Sequence, residues 1–208
     1  MSEAVSEDCS GLIVLAFDPG INNVGMVAAE ACPRTFVVRR YIAAERIDLA
    51  AVTHHRVQRS DCKLQHTNSL ADRFAHFCQE RQPLLESAGL ILTEQQPPQS
   101  AGCVFEQLLL SRFRSRTHSV HPRTVHSHFG IGHLDYDGRK QATESYAAQL
   151  LREYGVTGRA HDVADALCVM TVGLEKRARE ARIRAAAARV LCLEQYRFTG
   201  VLPKRKRL

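Results

Sequence analysis

The sequence predicts a single domain of the mixed α/β class, in which strands and helices pack in layers. Short apolar runs near the N-terminus have the length and composition of buried strands. Amphipathic segments typical of helices follow, and they alternate with two further short apolar runs. A chain of 208 residues, with 45% hydrophobic and 24% charged residues, has room for one core of ordinary composition.

Five strands are predicted from the short apolar runs. The run at 12–18 ends in Pro19-Gly20, which indicates a buried central strand followed by a tight turn. The next two strands are expected to pair with it as an antiparallel meander, and two shorter strands should follow later in the chain. Those four strands are expected at 25–29, 35–47, 90–94 and 119–121.

Four helices are predicted from amphipathic spacing and from helix-terminal residues. The first should begin near Thr67 or Asn68, which are good N-cap residues, and should place Phe74 and Phe77 on one face. The others are expected at 104–113, at 139–154 and from about 161 to about 197. The segments at 50–66 and 121–138 are predicted to be loops.

The chain is predicted to divide into three parts that differ in charge. Residues 1–10 are acidic and polar, which indicates a disordered leader and not a signal peptide. Residues 11–175 form the folded domain, and 176–208 form a basic C-terminal helix and tail. This last part holds 11 of the 28 Lys and Arg residues but only 2 of the 22 Asp and Glu residues. Such a concentration indicates either a solvated helix face or a surface that attracts DNA phosphates.

The cysteines and the hydropathy of the sequence limit the cellular compartments in which the protein is expected. The apolar runs are too short to cross a bilayer, so no membrane association is expected. Seven cysteines lie far apart without a C-x-x-C pair, which favours reduced thiols in an intracellular compartment. A zinc site is the alternative, although its spacing matches no standard zinc motif. Its ligands would be His54, His55, Cys62 and His66.

Four carboxylates lie at the ends of predicted buried elements. Asp18 and Glu94 each end a strand, whereas Asp162 and Asp165 are three residues apart on the last helix and share a face. Burying so much negative charge is costly without compensation, and no matching set of buried bases is evident. Divalent ions with oxygen ligands, Mg²⁺ or Mn²⁺, are the expected compensation, and a pair of such ions supports phosphodiester cleavage.

Each acid also has an ordinary structural explanation. Asp18 stands where turns often place an aspartate, and Glu94 could simply end a strand. Asp162 suits the first turn of a helix, where the helix dipole favours an acid. Asp165 is harder to explain in this way because apolar residues surround it. The interpretation therefore depends on the order and spacing of the four acids together.

The motifs that contain these acids resemble those of RuvC-type Holliday junction resolvases. The first is FDPGINNVG, in which D-P-G is followed by a second glycine five residues later. The others are LILTEQQ, the G-I-G loop and helix of FGIGHLDYDGRKQATESYAAQLL, and HDVADAL, in the family's order over residues 12–174. The segments EQQPPQSAGCVFEQLL and HPRTVHSHFGIG resemble in particular the resolvases of large DNA viruses, the poxvirus-like branch.

This resemblance implies a ribonuclease-H-like mixed five-stranded sheet flanked by helices, with a long basic C-terminal helix. Lys140 falls where the family has a basic residue near the scissile phosphate, and Arg139 is an alternative for that position. Gly20 and Gly25 would let the backbone turn and let the ligands approach one another. The implied ligands of two Mg²⁺ or Mn²⁺ ions are Asp18, Glu94, Asp162 and Asp165.

Further residues are expected to assist catalysis or to contact DNA. His161 lies four residues before Asp165 and either assists metal binding and proton transfer or simply flanks the helix start. Phosphate contacts or a solvated helix face are the alternatives for Arg112, Arg114, Arg116, Arg123 and Arg139. The C-terminal PKRKRL resembles a nuclear import signal or forms a phosphate-binding tail. Its basic residues are Lys204, Arg205, Lys206 and Arg207.

The resemblance implies a crossover junction endodeoxyribonuclease that hydrolyses DNA at four-way junctions with two metal ions and leaves 5′-phosphates. Because such a junction needs two symmetric cuts, a homodimer is expected. The helix at 104–113 is a candidate subunit interface, although its leucines could equally lie in the core. The nucleus or a viral replication site within an infected cell is the expected location.

Two other functions remain open. The first is another nuclease of the same fold that acts on RNA or on RNA–DNA hybrids. Proofreading exonucleases of this fold usually place a second acid two residues after the first, where this chain has Gly20. The second is a non-catalytic protein that binds branched DNA. It is disfavoured because a binding module gains nothing from carboxylates held against phosphates.

Overall fold

The computed structural model of the chain describes residues 10–51, 62–64, 66–67 and 69–199, with side chains as far as residue 190. Within these residues, five strands form one sheet in the order β3-β2-β1-β4-β5. The strands are β1 (Leu12–Pro19), β2 (Asn23–Ala31), β3 (Val38–Asp48), β4 (Leu90–Glu94) and β5 (Thr117–Val120). The predicted mixed five-stranded sheet is therefore confirmed.

Six helices flank the sheet in the described part of the chain. They are α1 (Leu70–Glu80), α2 (Gln82–Ser87), α3 (Ala101–Arg112), α4 (Pro122–His128), α5 (Tyr136–Glu153) and α6 (Ala160–Thr199). The long C-terminal helix is confirmed, and it runs without interruption across the charge boundary predicted at residue 175. The division into three parts stays a prediction, because the leader and most of the tail lie outside the described residues.

Strand β1 lies at the centre of the sheet, where β2 pairs with its whole length and β4 pairs with the residues from Val14 to Phe17. It pairs with β2 in antiparallel orientation and with β4 in parallel orientation. Its side chains alternate between the two faces, and helices cover both faces, so residues on either side are buried. This explains why the run at 12–18 is continuously apolar, as in a strand buried on both faces.

Each face of the sheet has its own hydrophobic core. On one face, Val14 and Ala16 of β1 and Leu92 of β4 pack against α5 and α6. On the other face, Leu15 and Phe17 pack against α1, α2 and α3. Phe17 forms a cluster there with three further rings, in which the centroids of contacting rings are between 5.2 and 6.1 Å apart. Those rings are Phe74, Phe77 and Phe105.

One helix lies where the sequence predicted none. Helix α4 occupies the first part of the segment 121–138, which was predicted to be a loop. Pro122 stands at its first turn and the His121 side chain accepts a hydrogen bond from Arg123 N–H, so local capping starts the helix. The short helix α2 follows α1 directly. The first helix has Ser69 as its N-cap, one or two residues after the predicted start.

No helix among the described residues is long and apolar enough to cross a membrane.

The ring cluster on the α3 side generates a stability prediction. Phe105 is fully buried, so Phe105→Ala leaves a cavity and is expected to lower the free energy of unfolding by about 3–5 kcal/mol. Urea denaturation followed by circular dichroism measures this change. The neighbouring Val104 is 46% exposed, so Val104→Ala should change the free energy of unfolding by no more than about 0.5 kcal/mol. Equal losses in both variants would contradict the packing described here.

Candidate active site

Two of the acids meet at one edge of the sheet because β1 and β4 run parallel. Phe17 pairs with Thr93 in the register of these strands, so Asp18 and Glu94 are the next residues along each strand. Asp18 shares its face with Ala16, and Glu94 shares its face with Leu92. Both carboxylates therefore leave the sheet on the side covered by α6.

Helix α6 brings the other two acids to the same edge. Asp162 and Asp165 lie in its first two turns, where Asp162 is buried and Asp165 is partly exposed. Strand β2 permits the close approach because Gly25, directly opposite Asp18, has no side chain. A Cβ at Gly25 would overlap the carbonyl group of Asp162. The glycine thus lets the backbone of α6 touch the sheet beside Asp18.

The four carboxylates are close enough to disturb one another's ionisation. Burial raises the pKa of Asp18 well above its ordinary value, and the charges of Glu94, Asp165 and Asp162 raise it further. Burial also raises the pKa of Glu94, and Asp165 adds to the effect, while a hydrogen bond with Asp18 and the charge of Lys140 oppose it. Negative charge at this edge is therefore only partly balanced by the protein itself.

Lys140 is a basic side chain that lies among these acids. It reaches across from α5, forms an ion pair with Asp165, and holds its ammonium group 5.4 Å from the centre of the Tyr136 ring. Although burial acts to lower it, the contact with Asp165 raises the pKa of Lys140, so the side chain is cationic. Arg139, the alternative predicted for this position, instead donates a hydrogen bond to the carbonyl of Leu134.

His161 lies beside the acids at the start of α6. Its Nδ1 is 3.6 Å from a carboxylate oxygen of Glu144 on α5. Its Nε2 is 3.2 Å from Oδ1 of Asp162, but the two atoms are not aligned for a hydrogen bond, and Nε2 is buried. The imidazole therefore packs between two carboxylates. Both predicted roles, assistance at the site and a flank of the helix start, stay open.

Three residues that hold the acids in place were not predicted from the sequence. Arg159 donates to Asp162 across 3.0 Å, and its backbone has a positive φ of 38° just before α6. Gln96 donates its side-chain amide to Glu94 across 3.2 Å. Buried Glu106 of α3 holds the same segment, because it accepts hydrogen bonds from the Gln96 backbone and from Ser119. Only Arg159 had a signal in the sequence, as the base three residues before Asp162.

The arginines predicted to contact DNA occupy different environments. The guanidinium of Arg116 donates to the carbonyls of Glu86 and Ala88, so it ties β5 to the end of α2. Arg112 lies 5.7 Å from the centre of the Phe113 ring. Arg114 and Arg123 are exposed. A DNA contact remains a prediction for each of them, and the four basic residues of the C-terminal PKRKRL lie outside the described residues.

The donor set suits hard divalent cations. Four carboxylates from three separate elements converge, and burial, followed by repulsion from the neighbouring acids, raises the pKa values of Asp18 and Glu94 although Lys140 acts to lower them. Mg²⁺ and Mn²⁺ prefer oxygen ligands, and a doubly charged ion bound here would remove that repulsion. The edge of the sheet is therefore a candidate site for metal-assisted chemistry on a phosphate ester.

The fold is ribonuclease-H-like, and comparisons with solved structures show which known proteins share it. The fowlpox virus Holliday junction resolvase matches with a TM-score of 0.55 and 15% identity, over 79% of this chain and 99% of that one. The same resolvase bound to Holliday junction DNA matches with a TM-score of 0.52, 15% identity, and coverages of 79% and 98%. Thermus thermophilus RuvC bound to its Holliday junction substrate matches with a TM-score of 0.51, 15% identity, and coverages of 82% and 97%.

These likenesses show the fold. The chain has the ribonuclease-H-like fold of RuvC-type resolvases, and the resemblance found in its motifs is confirmed at that level. No protein-family model matches the sequence, and no curated protein matches it either. What the acids of this chain do is therefore argued from its own residues.

The close contact at Gly25 generates a prediction. Gly25→Ala must displace the start of α6, because the new methyl group meets backbone atoms that cannot rotate away. We expect the free energy of unfolding to fall by about 1–3 kcal/mol, the usual cost of overpacking. Urea denaturation measures it. A methyl group at Gly132 would have no heavy atom closer than 3.8 Å, so Gly132→Ala is the control and should lie within about 0.5 kcal/mol of the parent.

The raised pKa of Asp18 generates a second prediction. An acid whose pKa is raised by folding destabilises the native state at a pH where it is ionised, and the penalty disappears once it is protonated in both states. Without metal, Asp18→Asn should therefore raise the melting temperature near neutral pH and have little effect below about pH 3.9. Adding Mg²⁺ should stabilise the parent more than the variant.

Thermal denaturation in EDTA and in excess Mg²⁺ tests this. Asp137 is exposed in the first turn of α5, so Asp137→Asn is a matched control that should respond to Mg²⁺ as the parent does. A lower melting temperature for Asp18→Asn in EDTA would show that Asp18 stabilises the metal-free fold, contrary to the electrostatic argument.

Proposed function

We propose that this chain is a structure-selective endodeoxyribonuclease that resolves four-way, or Holliday, DNA junctions by metal-dependent phosphodiester hydrolysis. The observation that carries the proposal is the meeting of Asp18, Glu94, Asp162 and Asp165 at one edge of the sheet. If each acid had only an ordinary structural role, the four would have no reason to lie together. The fold supports the proposal, because the fowlpox virus and Thermus thermophilus proteins that share it are a Holliday junction resolvase and RuvC.

The four carboxylates are proposed to hold two Mg²⁺ or Mn²⁺ ions. Bound there, the ions would activate a water molecule and stabilise the leaving oxygen of the phosphodiester. Gln96 and Arg159 would hold the carboxylates of Glu94 and Asp162 in place through the hydrogen bonds described above. Asp18, between Glu94 and the acids of α6, is the residue proposed to contact both ions.

Lys140 and His161 are proposed to assist. The ammonium group of Lys140 lies among the acids and is cationic, so it is placed to attract the phosphate of an approaching strand. His161 lies beside the carboxylates of Glu144 and Asp162, so we propose that it assists metal binding or proton transfer at the site.

DNA is the proposed substrate because positive charge lines a large cleft on the α6 side of the sheet. The cleft, of about 1360 Å³, runs between α4 and α6, with basic residues on both walls. A groove lined by such residues attracts a nucleic-acid backbone without reading its sequence. The basic residues in this cleft are Arg34, Arg123, Lys176, Arg179 and Arg182.

A homodimer is proposed because a four-way junction has two strands to cut symmetrically. In α3, Leu109 is fully buried in the core, whereas Val104 is 46% exposed and Leu108 is partly buried. The exposed face of α3 therefore stays a candidate interface, while Leu109 serves the core. Branched DNA arises in recombination and repair, so we propose an intracellular role there, in a nucleus or at a viral replication site.

The nuclease proposal predicts the effect of removing one acid. Asp165→Asn should lower cleavage of a synthetic four-way junction by at least about 100-fold, since even residues that only support metal ligands are worth about 10–100-fold. Binding of the junction in Ca²⁺ should persist, because the fold and basic cleft remain. Glu153, exposed at the end of α5, is the control, and Glu153→Gln should cleave as the parent does.

The same assay separates the other functions. Junction, linear duplex and RNA–DNA hybrid are offered with Mg²⁺, with Mn²⁺ and with neither. Preferential, metal-stimulated cleavage of the junction supports the proposal. Preferential cleavage of the hybrid would instead mean that the protein is a ribonuclease acting on RNA–DNA hybrids. Junction binding without cleavage under any condition would mean that the protein is a non-catalytic binding protein. Full cleavage activity of Asp165→Asn would show that Asp165 is not a catalytic residue.

A further inference from the structure

A second group of side chains that could hold a metal ion lies on the opposite side of the sheet from the acids. Cys62, His66 and His76 each offer a ligand atom, and these three atoms lie within 4.8 Å of one another. Nε2 of His76 is 3.4 Å from Sγ of Cys62 and 3.4 Å from Nε2 of His66. His76 belongs to α1, which packs on the face of the sheet that α6 does not cover. The cluster is therefore separate from the candidate active site.

The geometry of His76 prepares one nitrogen for a metal. The ring is buried, and its Nδ1 lies 2.8 Å from the backbone carbonyl oxygen of Asp72, an acceptor, so Nδ1 carries the proton. Nε2 then presents a lone pair toward Cys62 and His66. A hydrogen bond from the other ring nitrogen to a backbone carbonyl is the usual way in which proteins orient a metal-binding histidine.

The two distances from His76 are those expected between ligands of a tetrahedral zinc ion. Zinc lies about 2.1 Å from histidine nitrogen and about 2.3 Å from cysteine sulfur, which separates tetrahedral ligand atoms by roughly 3.4–3.7 Å. Sulfur and imidazole together favour zinc over the hard cations that suit carboxylates. We propose that Cys62, His66 and His76 bind one zinc ion, with a further donor in the fourth position, and that this ion is structural.

The sequence alone suggested a different ligand set. Cys62 and His66 belonged to it, but His76 did not, because it lies ten residues further along and inside a helix. The other two members of that set, His54 and His55, lie outside the described residues. The zinc alternative is thus revised by the structure, since packing of α1 supplies a ligand that no spacing rule indicated.

A zinc ion bound here would stabilise helix α1, which packs against the central strand β1. Phe77, next to His76 in α1, packs edge-on against Phe17 with ring centroids 6.0 Å apart. Arg73 of the same helix donates to the side chain of Asn22, in the turn that follows Asp18. An ion joining Cys62 and His66 to α1 would therefore tie the chain before the helix to the element that supports β1. The effect expected is on stability and not on chemistry.

Metal analysis of the full chain tests the proposal. The protein is purified without added metal or chelator, and its zinc content is measured by mass spectrometry. We expect one zinc per chain in the parent and in Asp165→Asn, whose acidic site is damaged. Cys62→Ser and His66→Ala should each lose most of the zinc. Cys103, a partly buried cysteine on α3, is the matched control, and Cys103→Ser should keep it.

Cobalt gives a readout that does not depend on stability or activity. Co²⁺ bound through a thiolate produces an intense sulfur-to-metal charge-transfer absorption in the near ultraviolet. It is expected for the parent and for Cys103→Ser but absent for Cys62→Ser. Circular dichroism shows whether each variant is folded, and chelation should lower the melting temperature of the parent but not that of Cys62→Ser.

Two outcomes would overturn the zinc proposal. One is a parent protein that contains well under one zinc per chain and shows no thiolate absorption with Co²⁺. The other is folded Cys62→Ser protein that keeps as much zinc as the parent. Neither result bears on junction cleavage, which depends on the acids at the opposite face, so the two proposals fail independently.

Discussion

The contact between the start of α6 and strand β2 is the constraint on which the candidate site depends. Gly25 faces Asp18 across the β1–β2 pair, and the backbone of Asp162 occupies the space where any other residue would carry a side chain. Carboxylates repel one another, so they cannot draw the two elements together. Backbone packing and the apolar face of α6 hold α6 against the sheet. The acids are therefore held close together although their charges repel one another.

The two proposed sites lie on opposite faces of the sheet. On the α6 side, β1, β4 and α6 bring carboxylate oxygens together at one edge, and Lys140 supplies part of the balancing charge. On the α1 side, four aromatic rings fill the core, and sulfur and imidazole gather at its margin. Because side chains alternate along a strand, adjacent residues such as Phe17 and Asp18 serve different faces. A change on one face can therefore reach the other through β1.

Much of this architecture could be predicted from local patterns. The apolar runs predicted β1 and β4 because strands buried on both faces need continuous apolar sequence. The span of α6 was predicted to within a few residues, because few residues in it disfavour a helix. Helix α4 was missed since its seven residues are mostly polar and its start depends on Pro122 and the His121 cap, not on periodicity.

By itself the sequence determined the fold class and marked four acids through their motifs, because apolar runs, helix spacing and glycine placement are local properties of the chain. The tertiary structure alone decided that Lys140 and not Arg139 pairs with Asp165. It also decided that His76 joins Cys62 and His66. The reason is physical: these contacts join elements that are packed by their apolar faces, and the partners of a polar side chain follow from that packing and not from its neighbours in sequence.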